Sequence, residues 1–189
     1  MTRIIGGVVG GRRIKAPTGD KTRPTSDRVR EALFSSVDAT LGSLTGLRFL
    51  DLYAGSGAVG LEARSRGAGV VTCVEQNRRT AGLIRDNARV LGLGRVEVVA
   101  APVSRALVQQ PRATYDVVFL DPPYSLPSDD VLDALVALRD QHWLTSGALL
   151  AVERSSRDEP LAWPDGFVPE RSRRYGETTL WYGRASAPE

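Results

Sequence analysis

The amino-acid sequence predicts an α/β fold with a doubly wound, mostly parallel seven-stranded sheet and a small N-terminal β-hairpin extension. Three observations support this prediction. Short apolar runs alternate with segments of helical periodicity, which is the pattern of repeated βαβ units. The first run of the series ends in a glycine-rich turn that opens a helix. A later run ends in DPPY, and its prolines stop a strand at the edge where such sheets bind ligands.

The elements follow one another in a regular order. A first helix is expected at residues 26–41, because Ser26 and Asp27 are start signals and apolar residues then recur four apart. Five strands are predicted at residues 48–53, 70–75, 96–101, 115–121 and 148–154. The helices between them are predicted at residues 57–67, 78–93, 103–110 and 129–140. Strands that alternate with helices form a parallel sheet covered on both faces.

Both ends of the chain depart from this alternation. Two short extended runs around Tyr175 and Gly176 predict a closing hairpin. Glycine pairs between RII and RRIK predict another hairpin in the first fifteen residues. We therefore divide the chain into an N-terminal basic hairpin extension, residues 1–22, and one further domain, residues 23–189.

The charge is unevenly distributed along the chain. Residues 1–30 contain eight Arg or Lys residues and two acidic residues, although the net charge of the whole chain is only +3. The rest of the chain therefore carries −3. A basic N-terminal segment favours contact with RNA or another polyanion, and the alternative is a solvated surface tail.

Several classes of protein are disfavoured by composition. One cysteine and one histidine cannot build a disulfide framework or a Cys/His metal cluster, so no metal site is predicted. The sequence has no apolar run of membrane-spanning length, and MTRIIGGVVGGRR lacks the long apolar core and small-residue cleavage site typical of a signal peptide. We expect a cytoplasmic protein that acts as a monomer.

The segment DLYAGSGAVG, residues 51–60, predicts a nucleoside-containing cofactor. Gly55, Gly57 and Gly60 satisfy G-x-G-x-x-G at a strand-to-helix turn, and Glu75 ends the next strand, where a carboxylate can accept ribose hydroxyls. Both a nicotinamide dinucleotide and S-adenosylmethionine fit this pattern. The Asp51 carboxylate would repel a pyrophosphate and attract a sulfonium, which favours S-adenosylmethionine. A purely structural interpretation is that Asp51 caps the helix.

The segment DPPY, residues 121–124, predicts the methyl-accepting chemistry. An exocyclic amino group of a nucleobase is a poor nucleophile, because its lone pair is conjugated with the ring. The Asp121 carboxylate and the Pro122 carbonyl can each accept one N–H bond and turn that lone pair towards a methyl donor. Tyr124 can stack on the base. These three residues are the predicted catalytic group.

Together, DLYAGSG, the acidic end of the second strand and DPPY resemble the class I S-adenosylmethionine-dependent amino-methyltransferases, which have a Rossmann-like fold. The stretches RIIGGVVGGRRIKAP, TRPTSDRVREALFSSV and YGETTLWYGR are similar to the bacterial RsmD family. That family methylates the N2 amino group of a guanine in 16S ribosomal RNA of the small ribosomal subunit. The resemblance extends over nearly the whole chain.

The resemblance implies roles for individual positions. The cofactor-binding residues would be Arg23, Asp51, Gly55, Ser56, Gly57, Glu75 and Ala101. Within this group, Ala101 would contact the adenine through its backbone, and Arg23 would lie near the cofactor carboxylate or the entering nucleotide. The sequence AAPVS departs from the family pattern, because Pro102 has no N–H to donate to the adenine.

The resemblance also implies the RNA contacts. Arg12, Arg13 and Lys15 in the N-terminal hairpin would bind RNA phosphates, and Thr25 in the TRPT turn would lie near the nucleotide. Three alternatives remain. An adenine-N6 DNA methyltransferase shares DPPY but usually has a sizeable target-recognition domain, which does not fit in this sequence. A complete glycine turn beside a complete DPPY argues against a noncatalytic RNA-binding ribosome assembly factor. A nicotinamide oxidoreductase is the third alternative.

Overall fold

The computed structural model describes residues 2–17 and 25–186. The strands are β1 (Thr2–Arg3), β2 (Arg13–Ile14), β3 (Arg48–Leu52), β4 (Val70–Val74), β5 (Val96–Val99), β6 (Tyr115–Leu120), β7 (Leu144–Ser155), β8 (Phe167–Tyr175) and β9 (Thr178–Ala185). The helices are α1 (Asp27–Leu41), α2 (Ala58–Ser65), α3 (Arg78–Leu91), α4 (Val103–Leu107) and α5 (Ser128–Asp140). None of the helices in these two stretches is long and apolar enough to cross a membrane.

The main sheet has seven strands in the order β5-β4-β3-β6-β7-β9-β8. Strands β5, β4, β3, β6 and β7 are parallel, and β9 runs antiparallel to both of its neighbours. The chain runs from β3 through β4 to the β5 edge and then returns to β6 on the other side of β3. The order of the strands therefore reverses between β3 and β6, which is the switch point where doubly wound sheets bind ligands. The predicted fold class is confirmed.

Two apolar layers cover the faces of this sheet. Alternate residues of β3 point to opposite faces, so Leu50 and Leu52 pack on one side and Phe49 packs on the other. Helices α4 and α5 cover the first side, and α1 with parts of α2 and α3 covers the second. Because both faces of the central strands are buried, their sequences are mostly apolar.

The boundaries of several elements follow local chemistry. The Ser26 side chain accepts a hydrogen bond from the Val29 backbone N–H at 3.2 Å, as expected for the start of α1. The predicted closing hairpin is formed by β8 and β9. The strand expected at residues 96–101 ends at Val99, so Ala101 lies in a loop. The strand expected at 148–154 is longer and spans Leu144–Ser155.

The N-terminal hairpin docks on α2 and α3. Ile4 and Ile14 are buried against residues of both helices. The backbone N–H groups of Ile5 and Gly6 each donate to the Glu62 carboxylate at 3.2 Å. The hairpin is therefore fixed to α2, beside the main sheet, through its own backbone. The predicted domain boundary at residue 22 lies outside the described residues and stays a prediction.

A buried ion pair joins this hairpin to α1 and α2. Arg30 Nε lies 3.0 Å from Glu62 Oε2, and both side chains are fully buried. Arg30 also donates to the Arg3 carbonyl and to Asp27, while Arg66 lies 2.8 Å from the other Glu62 oxygen. Burial lowers the pKa of Arg30, and the nearby Glu62 and Asp27 oppose that effect. Glu62 thus holds the hairpin and two helices at one point.

We predict that Arg30→Met destabilises the fold strongly, because the buried Glu62 carboxylate loses its buried partner. Breaking a buried pair typically costs about 3–5 kcal/mol of the free energy of unfolding. Arg89→Met is a matched control, since Arg89 and Asp86 form an exposed pair within α3 and such pairs contribute about 1 kcal/mol or less. Urea denaturation measures both, and equal losses would contradict the structural role of the buried pair.

Candidate active site

Two loops meet at the carboxyl ends of β3 and β6. Leu52 is paired with Leu120 at the end of the parallel ladder. The Asp121 backbone N–H then donates to the Leu52 carbonyl at 3.3 Å. The glycine turn that follows β3 and the DPPY loop that follows β6 are therefore neighbours.

The glycine turn has room for a ligand at one glycine and close packing at the next. Gly55 and Gly57 have φ angles of 54° and 77°, which favour glycine. A Cβ atom on Gly57 would lie 2.8 Å from the Ile84 side chain, whereas one on Gly55 would have no heavy atom within 4 Å. The packing therefore requires glycine at position 57, and the open space beside Gly55 fits a cofactor that approaches the backbone.

Glu75 stabilises the glycine turn from the end of β4. Its Oε2 accepts a hydrogen bond from the Gly55 N–H at 2.9 Å, and its Oε1 accepts one from the Asn77 N–H at 2.8 Å. Each carboxylate oxygen has two lone pairs, so both retain capacity for a ribose hydroxyl. The Ser56 carbonyl accepts from Asn87 at 3.4 Å, which ties the turn to α3. The donor and acceptor groups present thus suit the ribose and the backbone-facing part of S-adenosylmethionine.

Asp51 lies beneath the glycine turn. Its side chain is almost fully buried, and its Oδ2 accepts a hydrogen bond from the Gly60 N–H in the first turn of α2 at 2.9 Å. Burial raises the pKa of Asp51 from 3.8 to about 7, and the hydrogen bond from Gly60 opposes that rise. Asp51 therefore does have the capping role that the sequence left open, and its contact with the cofactor stays a prediction.

The DPPY loop presents three different chemical groups. Asp121 Oδ2 accepts a hydrogen bond from the Thr25 hydroxyl at 3.0 Å. Burial, followed by the nearby Glu153, raises the pKa of Asp121 well above its ordinary value. Pro122 is buried, whereas Tyr124 is 40% exposed and its hydroxyl lies 2.7 Å from Thr178 Oγ1. The loop thus combines a carboxylate that is hydrogen-bonded to Thr25 with a partly exposed aromatic ring.

Not every predicted residue can be placed in this cleft. Arg23 lies outside the described residues, and Ala101 lies in the loop between β5 and α4, where its contact with the adenine stays a prediction. Thr25 lies directly beside the DPPY loop, as its bond to Asp121 shows. The described residues contain no group of three or more His, Cys, Asp or Glu side chains that could hold a metal ion.

Three of the four predicted RNA-binding residues, Arg12, Arg13 and Lys15, belong to the docked N-terminal segment. Arg13 lines an open cavity of about 460 Å³ together with Thr2, Arg3 and Asp27, at the start of α1. The Arg12 guanidinium donates to the carbonyls of Val90 and Leu91 at 2.8 and 3.3 Å, at the end of α3. Arg12 therefore has a structural role that the sequence did not indicate. Lys15 is exposed.

Two charged residues at the end of β7 were missed by the sequence analysis. Glu153 lies within hydrogen-bonding distance of the hydroxyls of Thr25 and Thr178, at 3.3 and 3.4 Å. Arg154 donates to the carbonyls of Pro123 and Leu126 at 3.4 and 3.1 Å. Both side chains are buried. The available signal was the pair of charges that ends the apolar run ALLAV.

Comparisons with known proteins identify the relatives of this chain. Residues 2–184 match the sequence model of the family described as Conserved hypothetical protein 95. The chain is 36% identical over 175 residues to ribosomal RNA small subunit methyltransferase D of Escherichia coli (strain K12), covering 93% of this chain and 85% of that protein. It is 33% identical over 177 residues to the protein of that name in Haemophilus influenzae, covering 92% and 89%. The solved structure of yhhF from Escherichia coli superposes with a TM-score of 0.87 at 31% identity, covering 98% of each chain.

The sheet order, the glycine turn and the adjoining DPPY loop define a class I S-adenosylmethionine-dependent methyltransferase. Within that class, the chain belongs to the RsmD family. Its cofactor is S-adenosylmethionine.

We predict that Asp51→Asn gains stability over wild type as the pH rises. The ionised Asp51 carboxylate is disfavoured in the fold, where its pKa is about 7 instead of 3.8. Wild type therefore has no such penalty below about pH 4, accumulates it between about pH 4 and 7, and has all of it above pH 7. An amide pays no ionisation penalty and can still accept from Gly60.

At about 1.4 kcal/mol for each pKa unit, the full difference is on the order of 4 kcal/mol. Denaturant unfolding of both proteins from pH 4 to pH 8 measures it. Parallel stability curves for the two proteins would show that Asp51 ionises in the fold without cost.

Proposed function

We propose that this protein transfers a methyl group from S-adenosylmethionine to the exocyclic N2 amino group of a guanine in 16S ribosomal RNA of the small ribosomal subunit. The observation that carries the proposal is the juxtaposition of the DPPY loop and the glycine turn at the switch point. The Escherichia coli and Haemophilus influenzae relatives, both named ribosomal RNA small subunit methyltransferase D, support ribosomal RNA of the small subunit as the substrate. The N2 position comes from the resemblance of the motifs to the RsmD family.

In the proposed reaction, this chain orients the amino group and receives its proton. When bound, S-adenosylmethionine supplies a methyl group on a positively charged sulfur. Asp121 and the Pro122 carbonyl accept the two N–H bonds of the guanine amino group, which aims the nitrogen lone pair at that methyl group. The exposed ring of Tyr124 stacks on the base and holds it in place.

The methylated nitrogen must lose one proton. Burial and the neighbouring Glu153 make Asp121 a stronger base than an ordinary aspartate, so its carboxylate is suited to take up that proton. Glu75 and the turn around Gly55 hold the cofactor in this proposal, and Asp51 supports the turn from below. The arrangement needs neither a metal ion nor a covalent intermediate.

We predict that cells lacking this protein lose one N2-methylated guanine from 16S ribosomal RNA, and that the wild-type gene restores it. Mass spectrometric mapping of the RNA provides the measurement. Asp121→Ala should fail to restore normal methylation, because losing a positioned acceptor costs on the order of 10²–10³ in rate, while cofactor affinity measured by calorimetry changes only a few-fold. An unchanged guanine methylation pattern, or methylated adenine in DNA that disappears instead, would overturn the proposed function.

We also propose that the N-terminal hairpin binds RNA phosphates through its basic side chains. The double variant Arg13→Gln/Lys15→Gln should weaken RNA binding and make the slope of log affinity against log salt shallower by about 1.4 to 1.8, since each phosphate contact contributes about 0.7 to 0.9. Arg12 is left intact because it supports α3.

A matched control is Arg105→Gln/Arg112→Gln, which removes the same charge from exposed positions on α4 and the loop after it. Filter binding or fluorescence anisotropy at several salt concentrations gives the slopes. If the hairpin variant and the control variant give the same slope, the hairpin is only a solvated surface.

A further inference from the structure

We propose that Glu153 is a positioning residue that holds both ends of the DPPY loop in their working geometry. Through Thr25 it positions Asp121, at the end of the loop that accepts the amino group. Through Thr178 it positions Tyr124, at the end that stacks on the base. This inference rests on the proposed function for its meaning in catalysis. The contacts from which it is argued are observed in the structure and do not depend on the proposed function.

The contacts form a continuous chain of polar groups behind the loop. Thr25 Oγ1 lies 3.0 Å from Asp121 Oδ2 and 3.3 Å from Glu153 Oε2. On the other side, Thr178 Oγ1 lies 3.4 Å from Glu153 Oε1 and 2.7 Å from the Tyr124 hydroxyl. The two carboxylate oxygens of Glu153 therefore face two threonines, and each threonine touches a different residue of DPPY.

The hydrogen-bonding capacity of a hydroxyl makes this arrangement restrictive. A threonine hydroxyl donates a single hydrogen bond and accepts up to two. Thr25 lies between two carboxyl groups, so its proton can point to only one of them at a time. The position of Glu153 therefore decides how Thr25 faces Asp121. The same reasoning applies at Thr178, which has Glu153 on one side and a phenol on the other.

Strand β7 holds the backbone of Glu153 rigidly in place. Glu153 is paired with Leu180 inside the antiparallel ladder between β7 and β9, and its side chain is buried. Successive residues of a strand point to opposite faces. Arg154 therefore reaches the DPPY loop from the other face, where it donates to the carbonyls of Pro123 and Leu126. The end of β7 holds the loop from both sides.

A pair of substitutions separates positioning from simple loss of structure. Glu153→Ala removes both contacts with the threonines. Glu153→Gln keeps them, because its amide oxygen can accept from one threonine and its amide nitrogen can donate to the other. Asp116→Asn serves as a matched control. Asp116 is a carboxylate near the amino-terminal end of β6, far along the strand from Asp121, and it accepts hydrogen bonds from the Arg48 backbone N–H and the Thr145 hydroxyl.

The first expected result concerns the kinetic constants of RNA methylation. Glu153→Ala should lower kcat for RNA methylation on the order of 10²-fold, because a misplacement of about 1 Å at a reacting group has that effect. KM for the cofactor should change less than about threefold, because Glu75 and the glycine turn are untouched. Glu153→Gln should recover at least about tenfold of the loss. Asp116→Asn should keep the wild-type kcat.

The second readout does not depend on activity. Hydrogen exchange of the Asp121 and Leu126 amides, which bond to the carbonyls of Leu52 and Pro123, should speed up at least about tenfold in Glu153→Ala and stay near wild type in Glu153→Gln. Amides in the β3–β4 ladder should exchange at the wild-type rate in all variants.

The outcomes separate this inference from the proposed function. Faster exchange in Glu153→Ala, reversed in Glu153→Gln, supports the positioning role even if wild-type protein methylates no guanine, in which case only the proposed function fails. Wild-type exchange and wild-type kcat in Glu153→Ala would overturn the positioning role. Equal losses in Glu153→Ala, Glu153→Gln and Asp116→Asn would overturn it as well, because any change to a hydrogen-bonded carboxylate of the sheet would then have the same effect.

Discussion

The parallel pairing of β3 with β6 is the constraint on which the site depends. Its register places Leu52 beside Leu120, so the next residues of both strands leave the sheet at the same level. The bond from the Asp121 N–H to the Leu52 carbonyl extends the ladder by one step into the loops. A slip of one residue would turn every side chain of β6 to the other face and remove Asp121 from the glycine turn.

Carboxylates accumulate at this edge of the sheet, and burial determines their chemistry. The pKa of Asp51 rises to about 7 and the pKa of Asp121 rises well above its ordinary value, in both cases first because the groups are buried. Ionised carboxylates held out of water gain from any cation placed near them. The sulfonium of S-adenosylmethionine is such a cation. A sulfonium bound beside these groups would therefore favour their ionised forms and lower their pKa values.

The sequence was sufficient for the parts of the site that depend on local chemistry. Gly57 is required by its backbone angle and by contact with Ile84, and β6 ends at Leu120, just before the prolines of DPPY. The sequence could not reveal contacts between distant positions. Thr25 and Glu153 are 128 residues apart, and the buried pair of Arg30 and Glu62 joins α1, which precedes the main sheet, to α2. Such contacts follow from strand order and register, which no local pattern of residues encodes.

The most direct test is a crystal structure of the protein with S-adenosylhomocysteine and a guanine nucleotide. We predict that the ribose hydroxyls bind Glu75, that the sulfur faces the DPPY loop, and that the guanine amino group lies within hydrogen-bonding distance of Asp121 and the Pro122 carbonyl. Density for either ligand at another part of the sheet, or a sulfur that points away from Asp121, would contradict the idea that pairing of β3 with β6 assembles the active site.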